Sequence, residues 1–155
     1  MNIKEGDVLF CYDYMISNDT KASRHPIIAV VVNNTPKIGA VICTDKRNAF
    51  KYKNTVDINY LDAGLRKPTV AICSKLLIVD RSYVDKIIGH VRYADFCKIT
   101  NAVAAMETQL NLVENTDSDG SIYEVVRQLY RNGDVLTLSE MMQYLADNED
   151  VYDWE

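Results

Sequence analysis

The stretch that decides the fold is residues 27–44, IIAVVVNNTPKIGAVICT, in which two apolar runs flank a turn-forming break. Residues 27–33 and 38–44 both carry a β signal. The first run is the stronger one and is nearly continuous, which predicts a strand that is buried on both faces. Asn33-Asn34-Thr35-Pro36 favours a turn, so the two runs are predicted to pair as a β-hairpin.

Three further β segments at similar spacing extend this hairpin into a sheet. They are residues 7–12 (DVLFCY), 55–60 (TVDINY) and 69–79 (TVAICSKLLIV). The last segment reads as one long strand or as two strands broken by a bulge near Ser74. Five β segments with short polar breaks predict a small twisted barrel or an open antiparallel sheet.

The pattern becomes helical after Asp80. Residues 82–88 are predicted to form a short helix that Gly89 ends. Residues 93–112 carry apolar side chains at helical spacing and predict a longer helix, which should pack on the sheet. Strands followed by helices place the chain in the α+β class.

Charge divides the chain into two parts. Residues 1–106 hold 15 Lys and Arg against 10 Asp and Glu, whereas residues 107–155 hold 2 against 12. This asymmetry suggests a cationic unit that meets a polyanion, followed by an acidic segment that competes for the same surface. The alternative is a neutral-to-basic domain with a solvated acidic tail. A polar, turn-forming linker over 114–121 predicts a domain at 1–113 and a C-terminal extension at 114–155.

The C-terminal extension is predicted to contain two amphipathic helices. Residues 122–130 carry an apolar stripe at i, i+3, i+4, i+7 and i+8, and Gly133 is suited to end that helix. Thr137 and Glu140 fit a capping box that opens the second helix. Such short helices are unstable alone, so their apolar stripes must dock on another surface.

Composition excludes several classes of protein. No stretch approaches 18 consecutive apolar residues, so no membrane span is expected. The N-terminus lacks the apolar region of a secretory signal. We interpret the four cysteines as reduced, mostly buried thiols of a cytoplasmic protein. No metal site is expected, because there is no CxxC motif and His25 and His90 are far apart.

Residues 44–53, TDKRNAFKYK, have the composition of a site for unpaired nucleic acid. Four cations alternate here with two aromatic residues: Lys46, Arg47, Lys51 and Lys53 with Phe50 and Tyr52. Cations pair with phosphates, and aromatic faces stack on unpaired bases. Single-stranded nucleic acid is therefore a natural ligand. The alternative is a solvated hairpin loop whose aromatic side chains point inward.

A second candidate site precedes the strongest strand. Pro26 favours extended backbone at His25, which follows Arg24. An Arg and a His at a strand entrance are suited to contact phosphate or to transfer a proton. The alternative is an ordinary polar loop. His90, which follows Gly89, is interpreted as structural.

Several short motifs between Lys4 and Met106 occur in an order that resembles the MazF/PemK family of bacterial toxin ribonucleases from toxin–antitoxin systems. The resemblance covers about two thirds of the chain. The motifs are Gly6-Asp7-Val8-Leu9, Arg24-His25-Pro26-Ile27-Ile28-Ala29-Val30, Val41-Ile42-Cys43-Thr44, Val56-Asp57-Ile58, Ala63-Gly64-Leu65-Arg66-Lys67-Pro68-Thr69-Val70, Val79-Asp80 and Ile87-Ile88-Gly89-His90-Val91.

The resemblance implies a small SH3-like β-barrel of the MazF and CcdB kind, with packed C-terminal helices and usually dimeric. It also implies cleavage of single-stranded RNA at short motifs without a metal or other cofactor. In that chemistry a ribose 2′-hydroxyl attacks its neighbouring phosphate, which requires a base, a cation for the developing phosphorane charge and a proton for the leaving oxygen.

By position in the resembling motifs, Arg24 would stabilise the phosphorane and Thr44 would hold a phosphate oxygen. One residue separates Arg24 from Pro26, so His25 is a candidate for part of the arginine's role. Asp45 stands where the family has Ser and adds a negative charge beside the phosphate site. The predicted RNA-binding residues are thus Lys21, Asp45, Lys46, Arg47, Phe50, Lys51, Tyr52 and Lys53.

The sequence departs from the family pattern at residues 72–74, where Ile-Cys-Ser replaces the charged residues of some members. Three functions therefore stay open: an endoribonuclease toxin, a catalytically inactive nucleic-acid-binding or regulatory protein, and a gyrase-poisoning toxin that contacts its target through Trp154. Antitoxins of the family neutralise their toxins with an acidic C-terminal segment. The expected partner is thus a cognate antitoxin, or the chain's own residues 115–155 as a cover for the basic groove. Alternatively, these residues extend the core or build a partner interface.

Overall fold

The computed structural model describes residues 1–12, 25–109, 135–137 and 140. Within them the chain forms seven strands, one α-helix and two short 3₁₀ helices. In chain order these are β1 (Asp7–Cys11), β2 (Ile27–Val31), β3 (Lys37–Asp45), a 3₁₀ helix (Lys46–Lys51), β4 (Thr55–Ile58), β5 (Thr69–Asp80), a second 3₁₀ helix (Arg81–Tyr83), β6 (Val84–His90), α1 (Tyr93–Gln109) and β7 (Val135–Thr137).

The strands form one sheet in the order β4-β5-β3-β2-β1-β6, and each neighbouring pair in this order is antiparallel. β7 pairs with β5 outside this path. The predicted α+β class is confirmed. Of the two predicted forms of the sheet, the described residues form the open one, because β4 and β6 end the path without pairing with each other.

The hairpin predicted over 27–44 is confirmed as β2 and β3, with Ile27 opposite Ile42 and Ile28 opposite Val41. Successive residues of these strands enter different apolar clusters on the two faces of the sheet. Ile28 and Val41 belong to the cluster that also contains Ile99 and Val103 of α1. Ile27 and Ile42 belong to the cluster on the other face. Burial on both faces explains why the two runs are continuously apolar.

The bulge predicted near Ser74 is also confirmed. Ile42 of β3 lies opposite Ile72, but Ala40, only two residues away, lies opposite Leu77. A distance of two residues along β3 therefore corresponds to five residues along β5. The extra residues lie between Ile72 and Leu77, and Ser74 is one of them. A bulge of this kind bends the strand and increases its twist.

The helix predicted over 82–88 is wrong. Arg81–Tyr83 form a single 3₁₀ turn, and Val84–His90 form β6, which pairs antiparallel with β1. Val84, Ile87 and Ile88 fit a helical spacing, but their branched side chains favour a strand, and β1 offers an edge to pair with. The long helix is confirmed as α1 over Tyr93–Gln109, packed on β4 and β5.

α1 is fixed to the end of β4 by a buried carboxylate. Asp95 is almost fully buried, and its Oδ2 accepts a 2.7 Å hydrogen bond from the backbone N–H of Asn59. The same oxygen accepts from Arg92 Nε at 3.1 Å. This contact defines where the chain leaves β4.

Part of the C-terminal extension belongs to the sheet. Val135–Thr137 form β7, parallel to Leu76–Ile78 of β5, and Glu140 is exposed. The predicted linker at 114–121, the predicted helix over 122–130 and most of the second helix lie outside the described residues. The boundary at 113/114 stays a prediction.

Among the described residues, no helix has the length and the apolar content needed to cross a membrane. All four cysteines are described and carry free thiols, with Cys43 and Cys73 buried and Cys11 and Cys97 half-buried. Burial raises the pKa of Cys73 to about 12. The pKa of Cys11 is also raised to about 12, mainly by burial and to a smaller extent by the negative charge of Asp85.

Candidate nucleic-acid interface

The cations predicted to bind RNA gather where β3 ends. The chain does not form a hairpin there, because β5 lies between β3 and β4. Instead it turns at Asp45 into the 3₁₀ helix Lys46–Lys51 and then returns along β4. Asp45 caps this helix, and its Oδ1 accepts the backbone N–H of Arg47 at 2.9 Å.

Asp45 also binds two basic side chains. Its oxygens accept from Arg47 Nε and Nη2, both at 3.1 Å, and Lys67 Nζ lies 3.8 Å from Oδ2. Burial raises the pKa of Asp45, but the hydrogen bonds from Arg47 and the positive charges of Arg47 and Lys67 outweigh it and hold that pKa below its ordinary value. Asp45 is only 3% exposed. It therefore acts as an ionised anchor beneath two cations rather than as a surface that meets RNA.

The loop that carries Lys67 is held in place by a close backbone approach. The N–H of Lys46 donates to the Pro68 carbonyl at 3.0 Å. Gly64 has φ +82, and a Cβ there would lie 2.2 Å from the Ile88 carbonyl oxygen. A Cβ on Gly89 would lie 2.2 Å from the Ala63 carbonyl oxygen. Glycine at both positions lets residues 59–68 lie against β6, which fixes Lys67 beside β3.

Two adjoining cavities, each of about 400 Å³, open beside these cations. The first, here the cation cavity, is lined by Asp45, Lys46, Arg47, Lys67 and Pro68. The second, here the β4 cavity, is lined by Lys46, Asp57, Ile58, Asn59, Tyr60, Leu61, Pro68 and Thr69. Lys46 and Pro68 line both, so the two cavities are direct neighbours. Lys46 Nζ bonds to Asp57 Oδ2 at 3.0 Å across the rim.

The two aromatic residues of the predicted RNA-binding stretch have different environments. Phe50 is 83% exposed, so its ring is available for stacking on a base. Tyr52 is half-buried and packs against the apolar cluster that contains Leu9 and Ile42. Lys51 is half-buried and Lys53 is exposed. The alternative of two inward-pointing aromatics thus applies to Tyr52 only.

The predicted catalytic residues lie close to the end of β3 but are buried where they are described. His25 is 4% exposed, and its Nδ1 lies 2.9 Å from the Cys43 carbonyl oxygen. Thr44 has no exposed surface. Arg24 and Lys21 lie outside the described residues. The structure therefore places His25 and Thr44 next to Cys43, and both are buried.

His90 lies in a structural contact. Its Nδ1 is 2.9 Å from Asp7 Oδ1, and its ring packs directly over Gly6. Asp7 Oδ2 accepts the backbone N–H of Lys4 at 2.7 Å. These contacts join the beginning of β1 to the end of β6, in line with the structural interpretation of His90.

Sequence reasoning missed three residues of this surface. Lys67 and Asp57 belonged to quoted motifs but had no role assigned to them, and Asn59 was treated only as part of a strand. The signal for Asp57 and Asn59 was their alternation in residues 55–60, since alternating polar side chains lie on one side of a strand.

No protein-family model matches this chain, and no curated protein matches it. Solved structures do. An endoribonuclease from Mycobacterial species is 20% identical, with 66% of this chain and 88% of that chain covered and a TM-score of 0.50. An endoribonuclease in complex with its cognate antitoxin, also from Mycobacterial species, is 20% identical, with 66% and 89% covered and a TM-score of 0.48. The first of these two likenesses shows a shared fold and no more.

Proposed function

We propose that this protein is an endoribonuclease of the toxin type, which binds single-stranded RNA at the cation cavity and cleaves it without a metal. The observation that carries the proposal is the convergence of Lys46, Arg47 and Lys67 on one cavity. The 3₁₀ helix that supplies Lys46 and Arg47 also carries the exposed ring of Phe50. The shared fold with mycobacterial endoribonucleases supports it.

The cation cavity suits a phosphodiester. Arg47 and Lys67 come from different segments and are held by the same buried carboxylate, so their positive ends are positioned before any ligand arrives. Arg47 is 71% exposed despite this ion pair. Phosphate contacts of this kind supply affinity, while an aromatic face such as that of Phe50 accepts any unpaired base.

The proposed reaction is attack of a ribose 2′-hydroxyl on the adjacent phosphate. The chain enters β2 beside the end of β3, because His25 bonds to the Cys43 carbonyl. Arg24, the preceding residue in sequence, is the proposed group for the phosphorane charge, with Thr44 on a phosphate oxygen and His25 as an assisting group. Since His25 and Thr44 are buried, these two roles require RNA binding to expose them.

That burial favours a second candidate function. A chain whose Thr44 hydroxyl stays covered would bind single-stranded RNA at the cation cavity without cleaving it. This candidate is the catalytically inactive nucleic-acid-binding or regulatory protein. It uses the same cations and the same Phe50 face as the first, and it differs only in the chemistry.

One assay separates the two candidates. A defined single-stranded RNA is incubated with the protein in EDTA, and cleavage and binding are measured in parallel. The endoribonuclease predicts discrete fragments that Arg24→Ala abolishes and that Thr44→Val, which removes the hydroxyl at nearly constant volume, strongly reduces. Lys98→Ala on the exposed side of α1 is the control. Binding without fragments selects the second candidate, and absence of both binding and cleavage rejects both.

Sequence-selective cleavage, a homodimer and an antitoxin partner are parts of the same proposal, as is a covering role for the acidic residues 115–155. β7 ties this extension to Leu76–Ile78 of β5, whereas the cavities adjoin Thr69 at the other end of that strand. Thr69 and the residues that pair with β7 are seven to nine positions apart along β5, which corresponds to a strand length of about 25 Å. Removing only residues 147–155, which leaves β7 in place, should raise RNA affinity if the acidic end competes for the cations. Unchanged affinity would remove the covering role.

A further inference from the structure

The β4 cavity has the form of a binding site for a flat, partly apolar group. Ile58, Pro68 and Tyr60 supply apolar surface, and Leu61 stands at its edge with 70% of its surface exposed. Exposure of a leucine at this level beside a cavity is an observation that the fold does not explain, because Leu61 adds nothing to the two apolar clusters. Binding sites for small organic groups commonly combine apolar walls with a few placed polar atoms.

The polar residues of this cavity come from β4, from the residue that follows it and from the 3₁₀ helix after β3. Asp57 lies in β4, Asn59 directly follows the strand, and Lys46 begins the 3₁₀ helix. Ile58, between Asp57 and Asn59, belongs to the apolar core. The Asp57 carboxylate is exposed, and its Lys46 partner is exposed as well. Such a surface ion pair is weak and exchanges readily for a ligand.

Asn59 is oriented by the loop that follows it. Its Oδ1 accepts the backbone N–H of Asp62 at 3.2 Å, which directs Nδ2 away from that bond. Within residues 1–12 and 25–109, Asn59 Nδ2 donates to no protein group. The lining of the cavity therefore includes one residue with a carboxylate acceptor, Asp57, and two residues that carry donors, Asn59 and Lys46.

This arrangement complements one standard base. The Watson–Crick edge of guanine offers two adjacent donors, N1–H and N2–H, followed by the acceptor O6. A carboxylate accepts both donors, and a neighbouring N–H donor meets O6. Adenine, cytosine and uracil each place a ring or carbonyl acceptor where guanine has a donor, so each would oppose the carboxylate with a lone pair.

We propose that the β4 cavity binds a guanine base of the RNA strand whose phosphate lies in the adjoining cation cavity. The proposal rests on the proposed function, because the two cavities share Lys46 and Pro68 and so receive the base and the phosphate of the same region of chain. Asp57 is then the residue that determines base preference, and Leu61 and Pro68 cover the faces of the base.

The test uses oligonucleotides that the proposed reaction cannot cleave. We compare 2′-O-methyl heptamers of uridine whose central position is guanosine, adenosine or inosine, and measure their affinity by fluorescence anisotropy. The protein should bind the guanosine heptamer about tenfold more tightly than the adenosine heptamer, since a good bidentate contact discriminates by this order. Inosine, which lacks the N2 amino group, should fall between the two.

Asp57→Asn should reduce the guanosine-to-adenosine ratio to about one, because an amide presents a donor to the donors of guanine. The ratio is the readout, since removing a negative charge also strengthens binding of every RNA. Asp62→Asn is the matched control: it removes an equal charge from the loop that follows β4, at an exposed position outside the cavity. It should leave the ratio unchanged.

Two results overturn the proposal alone: heptamers that bind with no guanosine preference, or a preference that survives in Asp57→Asn. Both leave RNA binding at the cation cavity intact. Failure of every heptamer to bind overturns the proposed function and the guanine site together. Guanosine monophosphate at millimolar concentration should compete only weakly. Competition as strong as that of the heptamer would contradict the assignment of the site to a base within an RNA strand.

Discussion

Neutralising Asp45 should destabilise the fold in a pH-dependent manner. The carboxylate contributes a cap for the 3₁₀ helix, worth about 1 kcal/mol, and an ion pair with Arg47. Because Arg47 is 71% exposed, solvent screens that pair, and we assign about 1 kcal/mol to it. Asp45→Asn keeps an oxygen for the cap and should cost about 1 kcal/mol, whereas Asp45→Ala loses both and should cost about 2 kcal/mol.

The pH profile identifies the charge as the cause. Since the pKa of Asp45 is below its ordinary value of 3.8 in the folded protein, the ionised form is favoured by folding. The stabilisation by charge is complete above the unfolded pKa and is lost as the pH falls through the lower folded pKa. The difference in stability between wild type and Asp45→Asn should therefore be constant from pH 5 to pH 8 and disappear in more acidic solution.

Urea denaturation followed by circular dichroism at several pH values measures this difference. Asp80→Asn serves as a control, because Asp80 also caps a 3₁₀ turn through Ser82 but lies at the surface. Its effect should be smaller than that of Asp45→Asn. Equal stability of wild type and Asp45→Asn at pH 7 would refute the anchoring role. A difference that persists unchanged at pH 2 would show that packing, not charge, is responsible.

Three further predictions follow from particular contacts. Gly64→Ala should lower the free energy of unfolding by at least about 2 kcal/mol, because its methyl group would be strained by the left-handed backbone and would collide with the Ile88 carbonyl oxygen. A melting temperature near that of wild type would contradict this. Phe50→Ala should weaken binding of single-stranded RNA by about 1–3 kcal/mol with an unchanged melting temperature; unchanged affinity would show that no base stacks there. Cys73 should resist a thiol reagent at pH 8 until the protein unfolds, because burial raises its pKa to about 12; prompt reaction in the native state, followed by mass spectrometry, would contradict its burial.

The strands β1 to β5 were predictable because their signals are local. The continuous apolar runs of β2 and β3 and the bulge at Ser74 follow from side-chain pattern alone. β6 was not predictable in this way, because the spacing of Val84, Ile87 and Ile88 fits a helix. The segment forms a strand because it pairs with the edge of β1, which is distant in sequence. β7 likewise depends on an edge of β5 that is formed by residues far away in sequence.

The site was predictable in composition but not in geometry. The cations and aromatics of 46–53 were visible, yet the burial of Tyr52 and the anchoring role of Asp45 depend on contacts outside that stretch. Lys67 reaches Asp45 only because Gly64 and Gly89 let their loop approach β6. Asp57 and Asn59 acquire a role only once the neighbouring cavity is formed, and no local pattern encodes a cavity.

The central claim is that the cation cavity binds the phosphates of single-stranded RNA. Its most direct test is the salt dependence of affinity, in which each neutralised phosphate contributes about 0.7 to the slope of log K against log salt. The triple variant Lys46→Gln, Arg47→Gln and Lys67→Gln should lower that slope by about 2. A control of equal charge change, Lys4→Gln, Lys86→Gln and Lys98→Gln, should leave it nearly unchanged. Equal slopes for the two variants would contradict the claim.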